Sequence, residues 1–390
     1  MSFTPAQVAR ARWALLGGNF AIACGVMAPS GALNDIARSM AVTVPVAGQM
    51  GTVGAVVLAL GAPLLAAWVA GFDRRRLLVF WLVWFGLGHL ASALMPNFVS
   101  LVLLRTLALL GAAVFTPQAG AAIGVMTPAA SRSGAIAFVF LGWSFASVIG
   151  LPITAYVAET FGWRATFAFV GVLSLLAAAA VWRALPDGVR PPPMSAASWR
   201  SVFTHPLLMT VVAVTTLAGA SQFTLYLYLA PYLRQVLGLT PAEMAAMFFW
   251  FGGIGLAASL VVTRQIDRLG PTRMVTVTLS LMACTYALWP LGGSGWLLAL
   301  VMVPWALGGF GSQSSQHARL SALAPAWAPA LMALNSAAIY VGQAIGAAVG
   351  GALIATSGYT LLSWAALIMV GIALAASLWA ARRGSVQVAA

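Results

Sequence analysis

Charged side chains are scarce in this sequence of 390 residues, and lysine is absent altogether. Only 6% of the residues are charged, whereas 62% are hydrophobic. Soluble domains carry about 25% charged residues on average, and a water-soluble chain cannot hide so much apolar surface. The composition therefore excludes an ordinary soluble protein and indicates that most of the chain is surrounded by lipid.

Acids, histidines and cysteines are also few, which argues against an enzyme. The six acids and three histidines are scattered, without the spacing of metal ligands or of a nucleophile and its base. Without lysine there is no phosphate-binding loop of the Gly-x-x-x-x-Gly-Lys type. Cys24 and Cys284 both lie in apolar segments and have neither disulfide nor metal spacing. We expect no enzymatic activity, no metal and no cofactor.

Long apolar stretches fill most of the sequence. A helix needs roughly 20 apolar residues to cross the hydrocarbon core of a bilayer. Residues 1–13 lead straight into the first stretch without a cleavage site, so the first span is predicted to be retained. The sequence predicts an all-α integral membrane protein with twelve spans, at 13–33, 46–70, 77–95, 98–124, 132–157, 163–184, 205–232, 242–265, 272–291, 295–317, 329–355 and 358–381.

Arginine accounts for all 19 basic residues, and its distribution predicts the topology. One side of the spans receives only Arg38, Arg164 and Arg234. Because cytoplasmic loops carry the excess of positive charge, both termini are predicted to be cytoplasmic. The net charge of +13 does not indicate nucleic-acid binding, because the arginines lie at helix ends rather than along one face. The other side receives fifteen: Arg10, Arg12, Arg74, Arg75, Arg76, Arg132, Arg183, Arg190, Arg200, Arg264, Arg268, Arg273, Arg319, Arg382 and Arg383.

The chain is predicted to consist of two repeated halves. A proline-rich cytoplasmic linker at 186–204 separates a six-helix bundle at 1–185 from another at 205–390. Gly150 and Gly346 lie 196 residues apart in the fifth and eleventh spans. Parallel six-helix repeats characterise one large group of secondary transporters. Two further matches support the repeat: Phe161-Gly162-Trp163 with Ser357-Gly358-Tyr359, 196 residues apart, and Asp73-Arg74 with Asp267-Arg268, 194 residues apart.

Four motifs carry a family resemblance. They are Gly61-Ala62-Pro63-Leu64-Leu65 with Phe72-Asp73-Arg74-Arg75-Arg76, then Arg105 with Gly111, the stretch from Gly142 through Gly150 to Pro152, and Phe161-Gly162-Trp163-Arg164. In this order and on these spans, the chain resembles the major facilitator superfamily over its whole length. It is most similar to the twelve-helix drug:proton antiporters and sugar-efflux carriers.

The resemblance implies a fold and a set of conformational residues. The fold is that of two pseudo-symmetric six-helix bundles. In the fifth span, close helix packing or a kink that controls leakage are both open interpretations. The residues expected to govern conformation are Gly61, Asp73, Arg74, Arg75, Gly142, Gly150, Pro152, Asp267 and Arg268.

Arg105 is the one arginine inside a predicted span. It lies seven residues into the fourth span, about 10 Å along a helix that rises 1.5 Å per residue. A charge there costs at least about 2.5 kcal/mol, so it should meet a partner or a wet cavity. One interpretation is that it snorkels to the surface. The resemblance favours the other, in which it binds substrate or influences a proton site.

Polar residues near the middle of other spans are candidates for a substrate cavity. The resemblance implies that the first, fourth, seventh and tenth spans line this cavity. Each amide could equally form a hydrogen bond between helices, which is worth about 0.6 kcal/mol. The candidates, besides Arg105, are Asn19, Gln118, Gln222, Tyr226, Gln313 and Asn335.

Proton coupling lacks an obvious carrier in the sequence. All six acids lie towards the ends of spans or in loops. His89 and His317 lie within spans and could titrate in the useful range, although a lone histidine is more often a packing residue. Asp35, after the first span, is the better acidic candidate. Facilitated diffusion without coupling stays open.

The expected function is export of a small molecule from the bacterial cell, across the inner membrane, by alternating access. The cargo is a sugar, nucleoside or drug-like compound, and the resemblance implies proton antiport. The predicted partners are this cargo, protons and the lipid bilayer, for a protein that works as a monomer. The alternatives are an importer or uniporter of a small metabolite, and a non-transporting receptor or scaffold with the same fold.

Overall fold

A computed structural model describes residues 3–69, 71–128, 131–190, 200, 202–324 and 327–383. Within these residues the secondary structure is helical. A π-helical turn, Ala146–Gly150, joins α5 to α6. The helices are α1 (Pro5–Ser39), α2 (Val44–Trp68), α3 (Arg74–Ala93), α4 (Phe98–Met126), α5 (Arg132–Phe145), α6 (Leu151–Phe161), α7 (Trp163–Ala184), α8 (Pro206–Tyr226), α9 (Leu229–Gln235), α10 (Pro241–Leu269), α11 (Pro271–Leu288), α12 (Gly295–Val301), α13 (Val303–Leu323), α14 (Ala328–Ser357) and α15 (Leu362–Arg382).

Twelve helical segments of the described chain are long and apolar enough to cross a membrane. The fifth consists of α5, the π turn and α6, the seventh of α8 and α9, and the tenth of α12 and α13. The predicted all-α architecture and the number of spans are confirmed. The first helix is longer than expected, because a capping box at Thr4 and Gln7 starts α1 well before the apolar run.

Local chemistry also fixes other helix ends. Thr240 and Glu243 form a second capping box at the start of α10, followed by a proline in the first turn, which needs no N–H there. Gly270 ends α10 with φ +79°, a conformation that glycine adopts without strain. The acid Glu243 therefore has a structural role at a helix start.

The chain divides into two compact units. Unit 1 comprises Met1–Thr43 and Leu60–Pro193, and unit 2 comprises Val44–Ala59 and Met194–Ala390. The first part of α2 thus packs with unit 2, although the sequence places it within the first half. The domain limits expected from the sequence, with a linker at 186–204, stay a prediction.

The internal repeat has a physical counterpart in polar contacts within each unit. In unit 1, Asn19 Nδ2 donates to the carbonyl of Val139 at 3.1 Å, joining the first and fifth spans. In unit 2, Thr215 donates to Asn335 Oδ1 at 2.6 Å, joining the seventh and eleventh spans. Thr215 and Asn335 each lie 196 residues after their counterparts. The two halves therefore place a polar contact at equivalent positions, although Asn19 bonds a backbone carbonyl in unit 1 and Thr215 bonds a side-chain amide in unit 2.

A second pair of contacts follows the same spacing. Trp163 Nε1 donates to Ser39 Oγ at 2.6 Å in unit 1. Tyr359 donates its hydroxyl to Gln235 Oε1 at 3.0 Å in unit 2, again 196 residues later at both positions. The contact joins the start of the sixth span to the end of the first in unit 1, and the start of the twelfth span to the end of the seventh in unit 2.

Candidate functional site

The guanidinium of Arg105 lies inside unit 1, and the residue is only 3% exposed. Its Nη2 donates to the backbone carbonyls of Gly25 at 3.0 Å and Val26 at 3.4 Å, both on α1. The carbonyl of Gly25 would normally accept from the residue four positions later, which is Pro29 and has no N–H. Arg105 therefore satisfies a carbonyl that a proline has freed, and the buried charge has a defined partner.

His89 on α3 lies beside the same carbonyl and is fully buried. Its Nδ1 is 2.9 Å from the carbonyl oxygen of Phe85. Since a carbonyl can only accept, Nδ1 carries the proton and Nε2 carries a lone pair. Nε2 lies 2.9 Å from the position that a Cβ on Gly25 would occupy, so the missing side chain lets the ring approach α1. Rings of Phe85 and Phe167 flank the imidazole.

Two polar atoms in this cluster have no hydrogen-bond partner among the described residues. They are Nε2 of His89, an acceptor, and Nε of Arg105, a donor. Buried polar atoms are nearly always paired, and an unpaired one costs about 1–3 kcal/mol. The cluster of Gly25, His89 and Arg105, which we call the carbonyl cluster, therefore has unused hydrogen-bonding capacity.

Asn19 is engaged inside unit 1. Besides its bond to Val139, its Oδ1 accepts from the hydroxyl of Thr116 at 2.9 Å, so it joins α1 to both α4 and α5. Gln118 lies on the same helix as Thr116 and is 8% exposed. Asn19 thus forms hydrogen bonds between helices, as one of the two interpretations of this residue expected. Its place in a substrate cavity stays a prediction.

The fifth span combines close packing with an irregular backbone. A Cβ on Gly142 would lie 2.5 Å from the carbonyl oxygen of Leu16 on α1. Pro152 cannot donate to a carbonyl in the preceding turn, and the π turn Ala146–Gly150 lies directly before it. Gly150 packs on Cys24 of α1. Both glycines therefore serve close helix packing, while control of leakage by this span stays a prediction.

The loop after α2 is tied to the segment after α7. Asp73 caps the start of α3, accepting from the backbone N–H of Arg75 at 3.0 Å, and also accepts from the N–H of Gly188. The guanidinium of Arg75 pairs with Asp187 at 2.8 Å and lies over the ring of Trp182, 4.2 Å from its centroid. These contacts all lie within unit 1.

Arg74 and Gly61, two further residues of the loop motif, also lie in unit 1. Arg74 is 2% exposed, and its Nη1 donates to the carbonyls of Val69 at 3.0 Å and Phe72 at 2.7 Å. Gly61 lies against Ala113 of α4, where an added Cβ would stand 3.2 Å from the Ala113 Cβ. In the second half, Arg268 is exposed near the end of α10, and the side chain of Asp267 lies outside the described residues.

Asp35, the acidic candidate for coupling, has both carboxylate oxygens engaged. Oδ1 pairs with Arg38 Nη2 at 2.6 Å, and Oδ2 accepts from the backbone N–H of Trp163 at 2.7 Å. A carboxylate at the first N–H of a helix is favoured by the helix dipole. Asp35 therefore caps α7 from α1, which is a structural role.

Unit 2 contains a buried polar group of three residues, of which the sequence analysis identified only Asn335. Thr215 donates to Asn335 and accepts from Gln316 Nε2 at 3.1 Å, and Gln316 also donates to the carbonyl of Val211 at 3.2 Å. Gln313, the cavity candidate on this helix, has an exposed side chain, and its place in a cavity stays a prediction. Gln316 lies almost one turn further on, and the polar run from Ser312 to Gln316 offered no signal to choose between them.

Gln222 and Tyr226 lie beside an aromatic group. The Tyr226 ring is 6.2 Å from the Trp305 ring and 5.9 Å from the Phe251 ring, and Phe251 and Trp305 are 4.8 Å apart, between centroids. A Cβ added to Gly309 would stand 3.2 Å from Oε1 of the half-buried Gln222 and 3.4 Å from Cδ1 of Trp305. Both side chains therefore pack against this glycine. Trp305 Nε1 has no partner among the described residues. The group therefore combines three buried aromatic side chains with hydrogen-bonding atoms.

The described residues include no group of three histidine, cysteine, aspartate or glutamate side chains placed to hold a metal ion.

Comparison with known proteins gives consistent results. A family model described as Major Facilitator Superfamily matches residues 15–328. The chain is 29% identical to the "Inner membrane transport protein YdhP" of Escherichia coli (strain K12), over 95% of both chains. It is 30% identical to a "Probable sugar efflux transporter" of Pasteurella multocida (strain Pm70), over 83% of this chain and 80% of the relative.

Solved structures share the fold. A bacterial homologue of the human lysosomal transporter Spinster, in an inward-facing and unoccupied conformation, matches with a TM-score of 0.75 at 18% identity. The match covers 97% of this chain and 98% of that one.

Proposed function

Because the chain belongs to the major facilitator superfamily, we propose that it exports a small molecule across the bacterial inner membrane by alternating access and proton antiport. The family and the relatives are membrane transporters rather than enzymes. The direction, the cargo, the coupling ion and a monomeric working state are our proposal. Cytoplasmic termini follow from the arginine distribution.

The observation that carries active transport is the buried position of Arg105. A permanent charge in a span costs at least about 2.5 kcal/mol. An alanine in place of Pro29 would satisfy the Gly25 carbonyl with its own backbone N–H, without any charge. A passive receptor or scaffold has no use for the costlier arrangement. A carrier can use it, because an arginine that leaves and regains this carbonyl has two positions.

The aromatic group in unit 2 supports an amphipathic or hydroxylated cargo. Aromatic faces bind the apolar face of a ring, and the amide of Gln222 and the free indole N–H of Trp305 suit hydroxyl or carbonyl groups. A sugar is the first candidate, since one relative is named a probable sugar efflux transporter. Nucleosides and drug-like compounds have the same mixed character.

The test uses everted membrane vesicles, in which respiration acidifies the interior. Sugars, nucleosides and cationic dyes are added one at a time, while acridine orange reports the pH gradient and radiolabel reports accumulation. We expect at least one compound to accumulate and to collapse part of the gradient. Vesicles without the protein, and vesicles treated with nigericin, should show neither effect.

Other outcomes identify the alternatives. Uptake that only equilibrates the compound across the membrane, and that nigericin does not affect, would indicate a uniporter. Uptake by right-side-out vesicles alone would indicate an importer. Tight binding, detected as a thermal shift of the purified protein, without any flux would indicate a receptor.

A further inference from the structure

We propose that His89 is a proton-binding site whose occupation competes with Arg105 for the carbonyl of Gly25. This inference rests on the proposed proton antiport and identifies the residue that takes up the proton. Acidic residues are the usual expectation for such a role, but the described acids near unit 1's spans have other partners. Asp35 caps α7 and pairs with Arg38.

The competition follows from the geometry of one acceptor. The Gly25 carbonyl lost its helical donor to Pro29, and Arg105 Nη2 occupies it at 3.0 Å. His89 Nε2 lies against the same glycine, fully buried and without a described partner. The other ring nitrogen is fixed on Phe85, which orients Nε2 towards α1.

Protonation turns Nε2 from an acceptor into a donor. The lone pair of Nε2 takes up a proton from water, and the new N–H requires an acceptor, for which the Gly25 carbonyl is in place. A carbonyl oxygen can accept two hydrogen bonds, but two cations on one oxygen in a water-poor site repel each other strongly. The protonated His89 and the bound Arg105 therefore exclude each other.

The charged groups near His89 show which of them can affect its protonation. Arg105 on α4 is the charged group that faces the ring. From α1 it meets the backbone of Gly25, and from α7 the ring of Phe167. The buried thiol of Cys24 lies next to Gly25 on α1 and is uncharged. The other charged side chains of these helices lie near helix ends: Arg10, Arg12, Asp35 and Arg38 on α1, Arg164 and Arg183 on α7, and Arg74, Arg75 and Arg76 on α3.

Release and return of Arg105 are then linked to one proton. When the guanidinium leaves the carbonyl, repulsion at His89 falls and the ring can be protonated. When the guanidinium returns, the proton on Nε2 must leave to water. A site of this kind couples the position of Arg105 to proton binding without a buried carboxylate.

The first test observes the proton directly and needs no cargo. The variant H205Q/H317Q leaves His89 as the only histidine, and it is labelled with ¹⁵N-histidine and placed in lipid nanodiscs. We expect a neutral ring with Nδ1–H at pH 7.5 that becomes protonated on acidification. Replacing Arg105 by Gln should raise the protonated fraction at pH 6 at least threefold, because the neighbouring positive charge is gone.

If R105Q folds poorly, P29A/R105Q restores a backbone N–H to the Gly25 carbonyl and serves in its place. His89 that stays neutral to pH 5 with and without Arg105 would overturn the inference. So would a protonation profile that Arg105 does not alter.

The second test uses the vesicle assay with H89Q and, as a control, H317Q, which alters the half-buried histidine of another helix. We expect H89Q to transport downhill but to lose accumulation driven by the pH gradient, whereas H317Q behaves as the unaltered protein. Normal energised accumulation by H89Q would refute a coupling role. If the unaltered protein moves no compound at all, the proposed function fails while the NMR result still decides the proton site.

Discussion

Arg105 and Pro29 act on one carbonyl, so their substitutions should not be additive. Replacing Arg105 by Met leaves the buried Gly25 carbonyl without a donor, which costs about 1–3 kcal/mol. Replacing Pro29 by Ala as well supplies a backbone N–H from within α1. We expect R105M to lower the thermal unfolding temperature in detergent and P29A/R105M to recover most of the loss. A double variant as unstable as the sum of the single variants would show that Arg105 stabilises unit 1 by another route.

Variants at Arg105 should lose transport activity even where the protein stays stably folded. Arg105→Lys keeps the charge but loses the planar, five-donor fork, so a partial export rate is expected. The stable P29A/R105M protein should fold but lose energised accumulation. If it exported normally, the guanidinium would serve only the α1 backbone and the coupling proposal would fail.

The sequence was sufficient to single out Arg105, because an arginine in an apolar span needs a partner. It could not name that partner, because a backbone carbonyl has no signature in the sequence, and the effect of Pro29 depends on α4 packing beside α1. Asn19 shows the same limit. Its polarity was visible in the sequence, but only the packed helices show that Thr116 and Val139 satisfy both ends of the amide.

At the scale of helix pairs, Gly346 sets how closely α14 approaches α8. A Cβ at this position would overlap the carbonyl of Ala220 and stand 2.8 Å from the backbone N of Thr224. Neither atom belongs to a flexible side chain, so the helices must separate. We expect Gly346→Ala to destabilise the protein by about 1–3 kcal/mol, as overpacking commonly does.

Gly371 on α15 supplies the control for this prediction. It has open space around the position of a Cβ. Gly371→Ala should leave thermal stability unchanged or slightly raised, because alanine is the better helix former. Equal effects of the two substitutions would mean that helix propensity, rather than close packing, determines the outcome.

Asp73 joins two elements of unit 1 rather than binding cargo. Its carboxylate caps α3 and holds the N–H of Gly188 after α7. Asp73→Asn keeps one acceptor oxygen but removes the charge, so we expect a slower transport rate with nearly unchanged cargo affinity. Arg76→Ala, at an exposed position in the first turn of α3, is the control. A large loss of affinity with normal turnover would place this loop at the binding site.

The loop motif was recognisable in the sequence, but its partner was not. The sequence paired Asp73-Arg74 with Asp267-Arg268 as equivalents in the two halves. The structure shows that Asp73 bonds to Gly188 and Arg75 to Asp187, which lie 115 and 112 residues further along the chain. Such contacts depend on where the last helix of the unit ends, which hydropathy locates only to within a few residues.

For the whole molecule, the arginine distribution makes a direct prediction of topology. Alkaline phosphatase fused after Arg200 or after Arg383 should be inactive, because both positions are expected in the cytoplasm. The same reporter after Gly238, in the loop that follows Arg234 and the end of α9, should be active and shows that the fusions are competent. Activity at either of the first two positions would overturn the orientation.

The internal repeat predicts that a polar contact of unit 2 can be transferred to the equivalent positions of unit 1. Asn19→Thr removes the bond to Val139, and Val139→Asn alone buries an amide beside Asn19, whose own groups already bond Thr116 and the carbonyl of residue 139. Together, N19T/V139N recreates in unit 1 the bond between Thr215 and Asn335 in unit 2.

We therefore expect the double variant to be more stable than the sum of the single changes, by about 0.6 kcal/mol or more, the usual worth of a hydrogen bond between membrane helices. Thermal unfolding of the four proteins in one detergent measures this coupling. Thr116→Val, introduced into the N19T protein, is the control. It removes the other partner of residue 19 in the unaltered protein, and it should show no coupling with Val139→Asn once residue 19 is Thr. Strict additivity would show that positions 19 and 139 are not the structural equivalents of 215 and 335, and the repeat would then describe helix order without extending to side-chain contacts.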